Sequence, residues 1–278
     1  MKILILGASG MLGHMVSYYF KRKYHSDVVL CSRSKTEINI LDEILINIPE
    51  YSEKRLSVLI EQHRPCKVIN CIGITNIKTS KEKLNLVNTE LPKFLTKILN
   101  NKNDGSKLVH ISTNGVFSGE RGNYTETDKP DAIDIYGKSK LNGEVYSSPH
   151  LTIRTSIIGP QLKSSSGLLE WFLKQENEVK GYTHVKWSGV TTLECAKFID
   201  WAINKKLNGL IHLFSEKISK YNLLNIVKEV YGKSIKINPD DSIKLDQTLN
   251  TSRLDVNYNV PSHLKMLNEL KKVSFSLT

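Results

Sequence analysis

A tyrosine and a lysine stand four residues apart in the segment IDIYGKSKLNGE, residues 133–144. Residues four apart lie on the same side of a helix, so the Tyr136 hydroxyl and the Lys140 ammonium can approach a common point. A tyrosine beside a cation can act as a proton donor, because the ammonium favours phenolate and lowers the phenol pKa from about 10. The same spacing also arises by chance in lysine-rich chains, where both side chains are solvated.

A glycine-rich turn, ILILGASGMLGHMV, follows the first apolar run and opens a helical pattern. In dinucleotide-binding folds such glycines provide a tight turn, close approach to pyrophosphate and close packing of helix on strand. Amide groups at the start of the helix then face the phosphates. We therefore predict a cofactor loop that consists of Gly7, Ser9, Gly10, Met11, Leu12 and Gly13.

The residues after the second apolar run predict which nicotinamide cofactor binds. An acidic residue about twenty positions beyond the glycines would bind ribose hydroxyls, whereas a cation there would pair with a 2′-phosphate. The sequence has CSRSK at this point, with Arg33 and Ser34 and no carboxylate. We predict that Arg33 and Ser34 contact the cofactor and that NADPH is preferred, with NADH as the alternative. The competing interpretation makes Arg33 an exposed loop residue.

Short apolar runs alternate with helical patterns over residues 1–160, which predicts a parallel sheet covered on both faces. The runs are KILILG, DVVLCS, KVINCIG, KLVHIST and LTIRTSI. Beyond this part, longer helical segments predominate. We predict a Rossmann-type doubly wound α/β domain over residues 1–160 and a smaller mixed α/β substrate-binding lobe over residues 161–278. Strands such as GLIHLFS are expected to return to the main sheet.

Composition and charge exclude several classes of protein. With 40% hydrophobic and 24% charged residues, the 278-residue chain is typical of a globular protein. The net charge of +11 is spread along the chain, so we expect no nucleic-acid partner, although it can attract an anionic substrate. We expect no membrane association, since no stretch approaches the roughly 18 apolar residues of a span and the first run is too short for a signal peptide.

Cysteine and histidine usage adds further expectations. The four cysteines lack CxxC spacing, which favours reduced thiols and a cytoplasmic location, and no cluster of ligands predicts a metal. His110 is expected in the core. His184 is either a proton shuttle or, more commonly for a polar loop, solvent-facing. Three tryptophans either line a sugar pocket or belong to the core, the more common case at helical spacing: Trp171, Trp187 and Trp201.

Together, the glycine turn, HISTNGVFSG and YGKSK resemble the extended short-chain dehydrogenases/reductases, in particular the dTDP-4-dehydrorhamnose reductase branch. Counterparts of the branch's motifs occur in order over nearly the whole chain, from GASGMLG to NTSRLD. The resemblance implies an NADPH-dependent reductase of a dTDP- or UDP-linked 4-keto-6-deoxyhexose in nucleotide-sugar biosynthesis. GLLEWFL and GYTHVKWSGVTTLE are similar to a subgroup that handles 2-acetamido analogues. A homodimer is left open.

The resemblance also implies roles for matched positions. The catalytic residues would be Thr113, Tyr136 and Lys140. Beside the glycine loop, Tyr136 and Lys140, the cofactor would contact Cys71, Ile72, Gly73, Asn88 and Ser112. The substrate would contact Thr113, Asn114, Val116, Phe117 and Arg253.

Two departures from the family pattern bear on the alternatives. Asn114 and Gly115 stand where the family commonly has aspartate and then tyrosine or cysteine, and Gly115 cannot serve as an epimerisation acid or base. The absence of an Asp-Glu pair after Thr113 argues against a 4,6-dehydratase. The alternatives are a bifunctional epimerase/reductase and a non-catalytic regulatory subunit like the β subunit of methionine adenosyltransferase. The presence of Thr113, Tyr136 and Lys140 favours the enzyme.

Overall fold

A computed structural model describes residues 1–33, 46–48, 50–162 and 167–274 of the chain. The strands are β1 (Ile3–Leu6), β2 (Val28–Ser32), β3 (Ile46–Asn47), β4 (Lys67–Asn70), β5 (Lys107–Thr113), β6 (Leu151–Thr155), β7 (Ile157–Ile158), β8 (Glu178–Tyr182), β9 (Val185–Trp187), β10 (Val190–Thr191), β11 (Gly209–His212), β12 (Ile218–Ser219), β13 (Lys236–Asp240) and β14 (Leu245–Asp246). The helices are α1 (Met11–Tyr24), α2 (Glu53–His63), α3 (Lys81–Asn85), α4 (Leu91–Lys102), α5 (Ile135–Asn142), α6 (Leu168–Lys174), α7 (Thr192–Asn204), α8 (Lys220–Tyr231) and α9 (His263–Ser274).

Within the described residues, the five predicted apolar runs form strands of one seven-stranded parallel sheet. The strand order is β11-β6-β5-β4-β1-β2-β3. The part β3-β2-β1-β4-β5-β6 is the order of a Rossmann fold. The predicted doubly wound α/β fold is therefore confirmed.

The sheet is buried on both faces because successive side chains of its strands point to opposite sides. Ile3 and Ile5 belong to the apolar core that α1 and α7 cover. Leu4 and Leu6 belong to a second core, which is covered by α2 and α4. An apolar strand such as β1 therefore buries its side chains on both faces of the sheet. Polar groups that could do chemistry lie at the carboxyl ends of the strands.

Segments beyond residue 160 contribute to two layers of the main domain. As predicted, β11 returns to the main sheet, where it pairs with β6, and α7 packs against α1. Other strands of this part form small separate sheets, β12-β9-β14 and β13-β8. The division at residue 160 stays a prediction. In the part of the chain that the structure describes, no helix is both long and apolar enough to cross a membrane.

Candidate active site

The turn after β1 brings backbone into close contact with backbone. Gly7 has φ +81°, which favours glycine, and the amides of Gly7 and Ala8 both donate to the Cys31 carbonyl. A Cβ atom at Gly7 would lie 2.9 Å from Ile72 Cγ1. A Cβ atom at Gly13 would overlap the Gly7 carbonyl oxygen. The turn is therefore a narrow cradle that requires glycine at both positions.

Helix α1 begins at the open side of this cradle. Gly10 precedes the helix with extended backbone, and within the described helix neither a side-chain cap nor an acidic first-turn residue occupies the first amides. Free amides and the positive end of the helix dipole form a site for anions. The predicted loop therefore fits the pyrophosphate of a dinucleotide.

Side chains connect this loop to the end of β2. Ser9 Oγ lies 2.7 Å from Ser32 Oγ, and the exposed Arg33 follows directly. Burial raises the pKa of Tyr51, and the charge of the nearby Arg33 opposes that rise. Ser34, the other predicted contact, lies outside the described residues. Arg33 thus stands beside the cradle, where a cation could meet a ribose phosphate.

The first residues of α1 differ in exposure. Met11 is partly exposed, but Leu12 is 5% exposed and belongs to the core under α1. A Leu12 contact with cofactor would therefore come from its backbone amide rather than its side chain.

The segment after β4 is held against the same turn. The Cys71 amide donates to the Leu6 carbonyl at 3.0 Å. Asn88 holds the next residues, because its Oδ1 accepts from the Ile74 amide and its Nδ2 donates to the Ile74 carbonyl, both at 2.9 Å. Asn88 lies in a π-helical turn, Leu86–Glu90, a feature common at functional sites. The Asn88 side chain therefore positions residues 71–74, including Ile72 and Gly73.

Two hydroxyl side chains meet at the carboxyl end of β5. Thr113 ends this strand, Tyr136 lies in the first turn of α5, and the Thr113 hydroxyl is near enough to Tyr136 to lower the pKa of the phenol. Thr113 Oγ1 also accepts from the Gly115 amide at 3.0 Å. A Cβ atom at Gly115 would lie 3.3 Å from Thr113 Oγ1 and 3.6 Å from Tyr136 Cε1. The missing side chain at position 115 leaves space beside this pair.

Sequence reasoning missed the residues that orient α5. Asp134 caps the helix, with Oδ1 accepting from the Gly137 amide at 2.6 Å. Gly137 packs so closely that a Cβ atom there would overlap the Gly115 carbonyl oxygen. An aspartate before a helical pattern is a helix-start signal, so Asp134 could have been identified from the sequence. The close approach of Gly137 could not.

Lys140 lies one helical turn beyond Tyr136 and is 3% exposed. Its Nζ donates to the Ile111 carbonyl at 2.7 Å. A Cβ atom at Gly73 would lie 3.9 Å from the same Nζ. The structure thus places Lys140 between β5 and the segment after β4, on the side of the site where the predicted cofactor contacts lie.

Burial controls the proton affinity of both helix residues. Burial raises the pKa of Tyr136, the nearby Thr113 hydroxyl opposes this rise, and the Asp134 charge adds to it. Burial also lowers the pKa of Lys140 to about 8, against the effect of Glu144. The direction predicted for Tyr136 was therefore wrong: lost hydration outweighs any attraction from the amine, which is bound to a carbonyl instead. Tyr136 is protonated at neutral pH, as a proton donor requires.

The Ser112 hydroxyl joins a buried ion pair behind the site. Its hydroxyl donates to Glu144 Oε1 at 2.5 Å. Glu144 in turn forms an ion pair with Arg154 at 2.7 Å, and their side chains are 0% and 1% exposed. The Ser112 hydroxyl thus satisfies a buried carboxylate, and the cofactor contact of Ser112 stays a prediction.

The predicted substrate contacts after Thr113 have different surroundings. Val116 and Phe117 are 0% exposed, and the Phe117 ring stacks on Tyr124 with centroids 4.2 Å apart. Fully buried side chains offer no surface to a ligand, so these two belong to the core instead. Asn114 is partly exposed, and its Nδ2 donates to the Gln247 carbonyl at 3.0 Å.

Arg253 lies apart from the hydroxyl pair. Its guanidinium binds Asp255 at 2.6 Å and donates to the carbonyls of Asn208 and Leu210, each at 3.1 Å. In the sheet register, Leu210 is three residues before the level of Thr113. At about 3.3 Å per residue this is about 10 Å along the strands, and β11 is also two strands away. Arg253 thus covers the open edge of β11, and its contact with the substrate stays a prediction.

The remaining candidate side chains are dispersed. His184 is exposed between β8 and β9. Trp187 is buried and donates to Ser156 Oγ at 2.8 Å, Trp201 packs against Tyr258, and Trp171 is 39% exposed. Among the described residues, no group of three His, Cys, Asp or Glu side chains is arranged to hold a metal.

Sequence comparisons relate the chain to known proteins. Residues 1–245 match the sequence model of the family described as RmlD substrate binding domain. Methionine adenosyltransferase 2 subunit beta of Xenopus laevis is 29% identical over 152 residues, which cover 51% of this chain and 41% of that protein. The chain thus spans less than half the length of this relative.

Solved structures share the fold over almost the whole chain. A hypothetical dTDP-4-dehydrorhamnose reductase from Sulfolobus tokodaii has a TM-score of 0.78 and 28% identity, covering 95% of this chain and 98% of that one. The dTDP-4-dehydrorhamnose reductase from Bacillus anthracis str. Ames, solved in complex with NADP, has a TM-score of 0.81 and 19% identity, covering 98% and 100%. The second likeness shows the fold alone.

Proposed function

Since the chain belongs to the RmlD substrate binding domain family, we propose that it is an NADPH-dependent reductase of a nucleotide-diphospho-4-keto-6-deoxyhexose. The observation that carries the proposal is the convergence of Thr113 and protonated Tyr136 beside Gly115, with Lys140 one helical turn away. Dinucleotide and ketone would meet at the carboxyl edge of one parallel sheet, where such folds bind ligands. The sugar is dTDP- or UDP-linked, and 2-acetamido analogues belong to the same class.

Several features support NADPH as the cofactor. The glycine cradle and the uncapped start of α1 fit a pyrophosphate, and Arg33 stands beside them for a 2′-phosphate. The neighbouring structure from Bacillus anthracis holds NADP. When bound, the cofactor supplies a hydride to the sugar ketone.

The residues of the chain then manage charge and protons. Tyr136 donates its proton to the ketone oxygen as negative charge develops there. Thr113 donates a hydrogen bond to the same oxygen, which orients the carbonyl and stabilises the alkoxide. The Lys140 ammonium favours the phenolate that remains, and its pKa of about 8 lets it exchange protons near neutral pH.

The test is to incubate the protein with NADPH and a panel of dTDP-, UDP- and GDP-linked 4-hexuloses while following the absorbance of the reduced cofactor. One or more members of the panel should be turned over. Tyr136→Phe should lower kcat by about 10²–10⁴-fold and leave NADPH binding intact, because the ring is retained. Failure of every 4-hexulose would reject the proposal.

A second candidate is a non-catalytic, cofactor-binding regulatory subunit, which is supported by the 29% identity to methionine adenosyltransferase 2 subunit beta. A regulatory subunit does not need a proton donor. Full activity of a partner enzyme with the Tyr136→Phe variant, together with absent sugar turnover by the wild type, would favour this candidate.

A further inference from the structure

A buried line of side chains leads from the end of β4 to Lys140. Asn70 is 0% exposed and His110 is 1% exposed. The Asn70 Oδ1 accepts from the Ile72 amide at 3.1 Å, and Asn70 Nδ2 lies 3.1 Å from His110 Nδ1. On the other side of the ring, His110 Nε2 lies 3.5 Å from Lys140 Nζ. The imidazole therefore connects a backbone amide to the amine beside Tyr136.

The Ile72 amide decides which ring nitrogen of His110 carries the proton. A backbone N–H can only donate, so the Asn70 atom that faces Ile72 must be the oxygen. The Asn70 NH₂ group then points at His110 Nδ1, which must accept. Burial first, and the Lys140 charge second, hold the pKa of His110 well below its ordinary value, so the ring is neutral. A neutral imidazole that accepts at Nδ1 carries its proton on Nε2.

We propose that His110 is a positioning residue of the Tyr136–Lys140 pair, fixed by Asn70 in the tautomer whose Nε2–H faces the Lys140 amine. An N–H donor opposite an ammonium has no acceptor, whereas opposite a neutral amine it meets a lone pair. His110 therefore opposes the charged form of Lys140 and directs the amine toward the Ile111 carbonyl, where Nζ donates at 2.7 Å. This inference rests on the proposed function in one respect: that function gives Tyr136, the partner of Lys140, its catalytic role.

Three other titratable groups lie around Lys140, and only one of them carries a charge that affects its proton affinity. Glu144, one turn further along the chain, favours the ammonium, but it is also paired with Arg154. Cys71, after β4, is a thiol, because burial raises its pKa to about 12. Tyr136, one turn before Lys140, is protonated, since burial raises its pKa. Against this background, removing the His110 N–H should strengthen proton binding at Lys140.

The first measurement uses the wild-type protein, so it does not depend on whether a variant folds. Two-bond ¹H–¹⁵N correlation spectra of the wild-type protein distinguish Nε2–H from Nδ1–H imidazoles. We expect His110 to show the Nε2–H pattern from pH 6 to pH 9, a range chosen to span the ordinary pKa of histidine, about 6.5. An Nδ1–H tautomer, or a protonated ring in this range, would overturn the proposal.

The second measurement compares His110→Phe with a matched control. His150 is also buried, accepts from the Leu108 amide and lies 2.9 Å from an asparagine oxygen, that of Asn100. The Lys140 amine is titrated by the ¹³Cε shift in lysine-labelled protein and assigned by its loss in Lys140→Met. His110→Phe should raise the protonation constant of Lys140 about tenfold, equivalent to one pKa unit, and His150→Phe should leave it unchanged.

The titration separates this inference from the proposed function. An unchanged Lys140 protonation constant in folded His110→Phe rejects the role of His110, whether or not sugars are reduced. A tenfold rise without turnover of any 4-hexulose retains the role of His110 and rejects the reductase. If His110→Phe does not fold, the tautomer of His110 in the wild-type protein still tests the proposed role of His110.

Discussion

The glycine turn and the Tyr136 region lie at the same edge of the sheet, yet they are built differently. The glycine turn consists of backbone: the amides of Gly7 and Ala8 share one carbonyl, and glycine is needed where a Cβ atom would collide. The Tyr136 region consists of side chains whose proton affinities are set by burial. The first should therefore be sensitive to added volume, and the second to changes in proton chemistry at constant volume.

After Tyr136→Phe, the largest effect should come from an isosteric change at the neighbouring Thr113. Thr113→Val retains the shape of the side chain and removes its hydroxyl. We expect kcat to fall by about 10²–10³-fold, as for loss of one donor to a developing oxyanion. The matched control is Thr155→Val, since Thr155 is level with Thr113 on the neighbouring strand and is also buried. Equal losses in both variants would contradict the comparison.

Added volume should instead affect the glycine turn. Gly13→Ala places a methyl group onto the Gly7 carbonyl oxygen, so α1 must move away from β1. We expect NADPH affinity to fall by about 100-fold, or about 2.7 kcal/mol, as judged by calorimetry. In the control Gly232→Ala the added methyl group meets open space, although φ is +67°. Binding by Gly13→Ala that equals the control would show that volume does not limit this turn.

The buried amine should reduce stability at neutral pH. The pKa of Lys140 is lowered from 10.5 to about 8, so the unfolded chain binds more protons between these values. Lys140→Met should raise the free energy of unfolding by about 1–3 kcal/mol at pH 7. This advantage should shrink as pH rises from about 8 toward 10.5, because wild-type stability then increases. Urea unfolding of both proteins at several pH values measures the difference in their free energies of unfolding. A difference that does not depend on pH would refute the prediction.

The same titration should appear in catalysis. If the Lys140 ammonium assists Tyr136, kcat should fall as pH rises through about 8, where the folded protein loses this proton. A pH–rate profile of the wild type measures the effect. A flat profile across this pH would show that Tyr136 does not use the charge of Lys140.

The smallest effect should come from the exposed cation beside the glycine turn. Arg33→Ala should raise the Michaelis constant for NADPH relative to that for NADH by about tenfold, which corresponds to about 1.4 kcal/mol. Arg55, an exposed arginine on α2, provides the control. An unchanged ratio in Arg33→Ala would assign the preference to residues other than Arg33.

The candidate site was only partly predictable from the sequence. The turn at Gly7 and the meeting of Thr113 with Tyr136 follow from motifs that are local or that lie at strand ends. Ser112 and Phe117 belong to the same strand-end segment, but they face inward, and a short irregular segment does not reveal which side chains point to the core. The surroundings of Arg253 could not be predicted because its partners, at the edge of β11, are more than 40 residues away in sequence.

By itself, the sequence determined the order of strands and helices and the glycine turn, because apolar periodicity and missing side chains act within a few residues. Only the tertiary structure decided the protonation of Tyr136 and Lys140 and the tautomer of His110. Those properties depend on burial and on contacts such as Lys140 with His110, 30 residues apart, and Asn70 with His110, 40 apart. Hydration and hydrogen bonds of this kind exist only after the sheet and α5 have packed together.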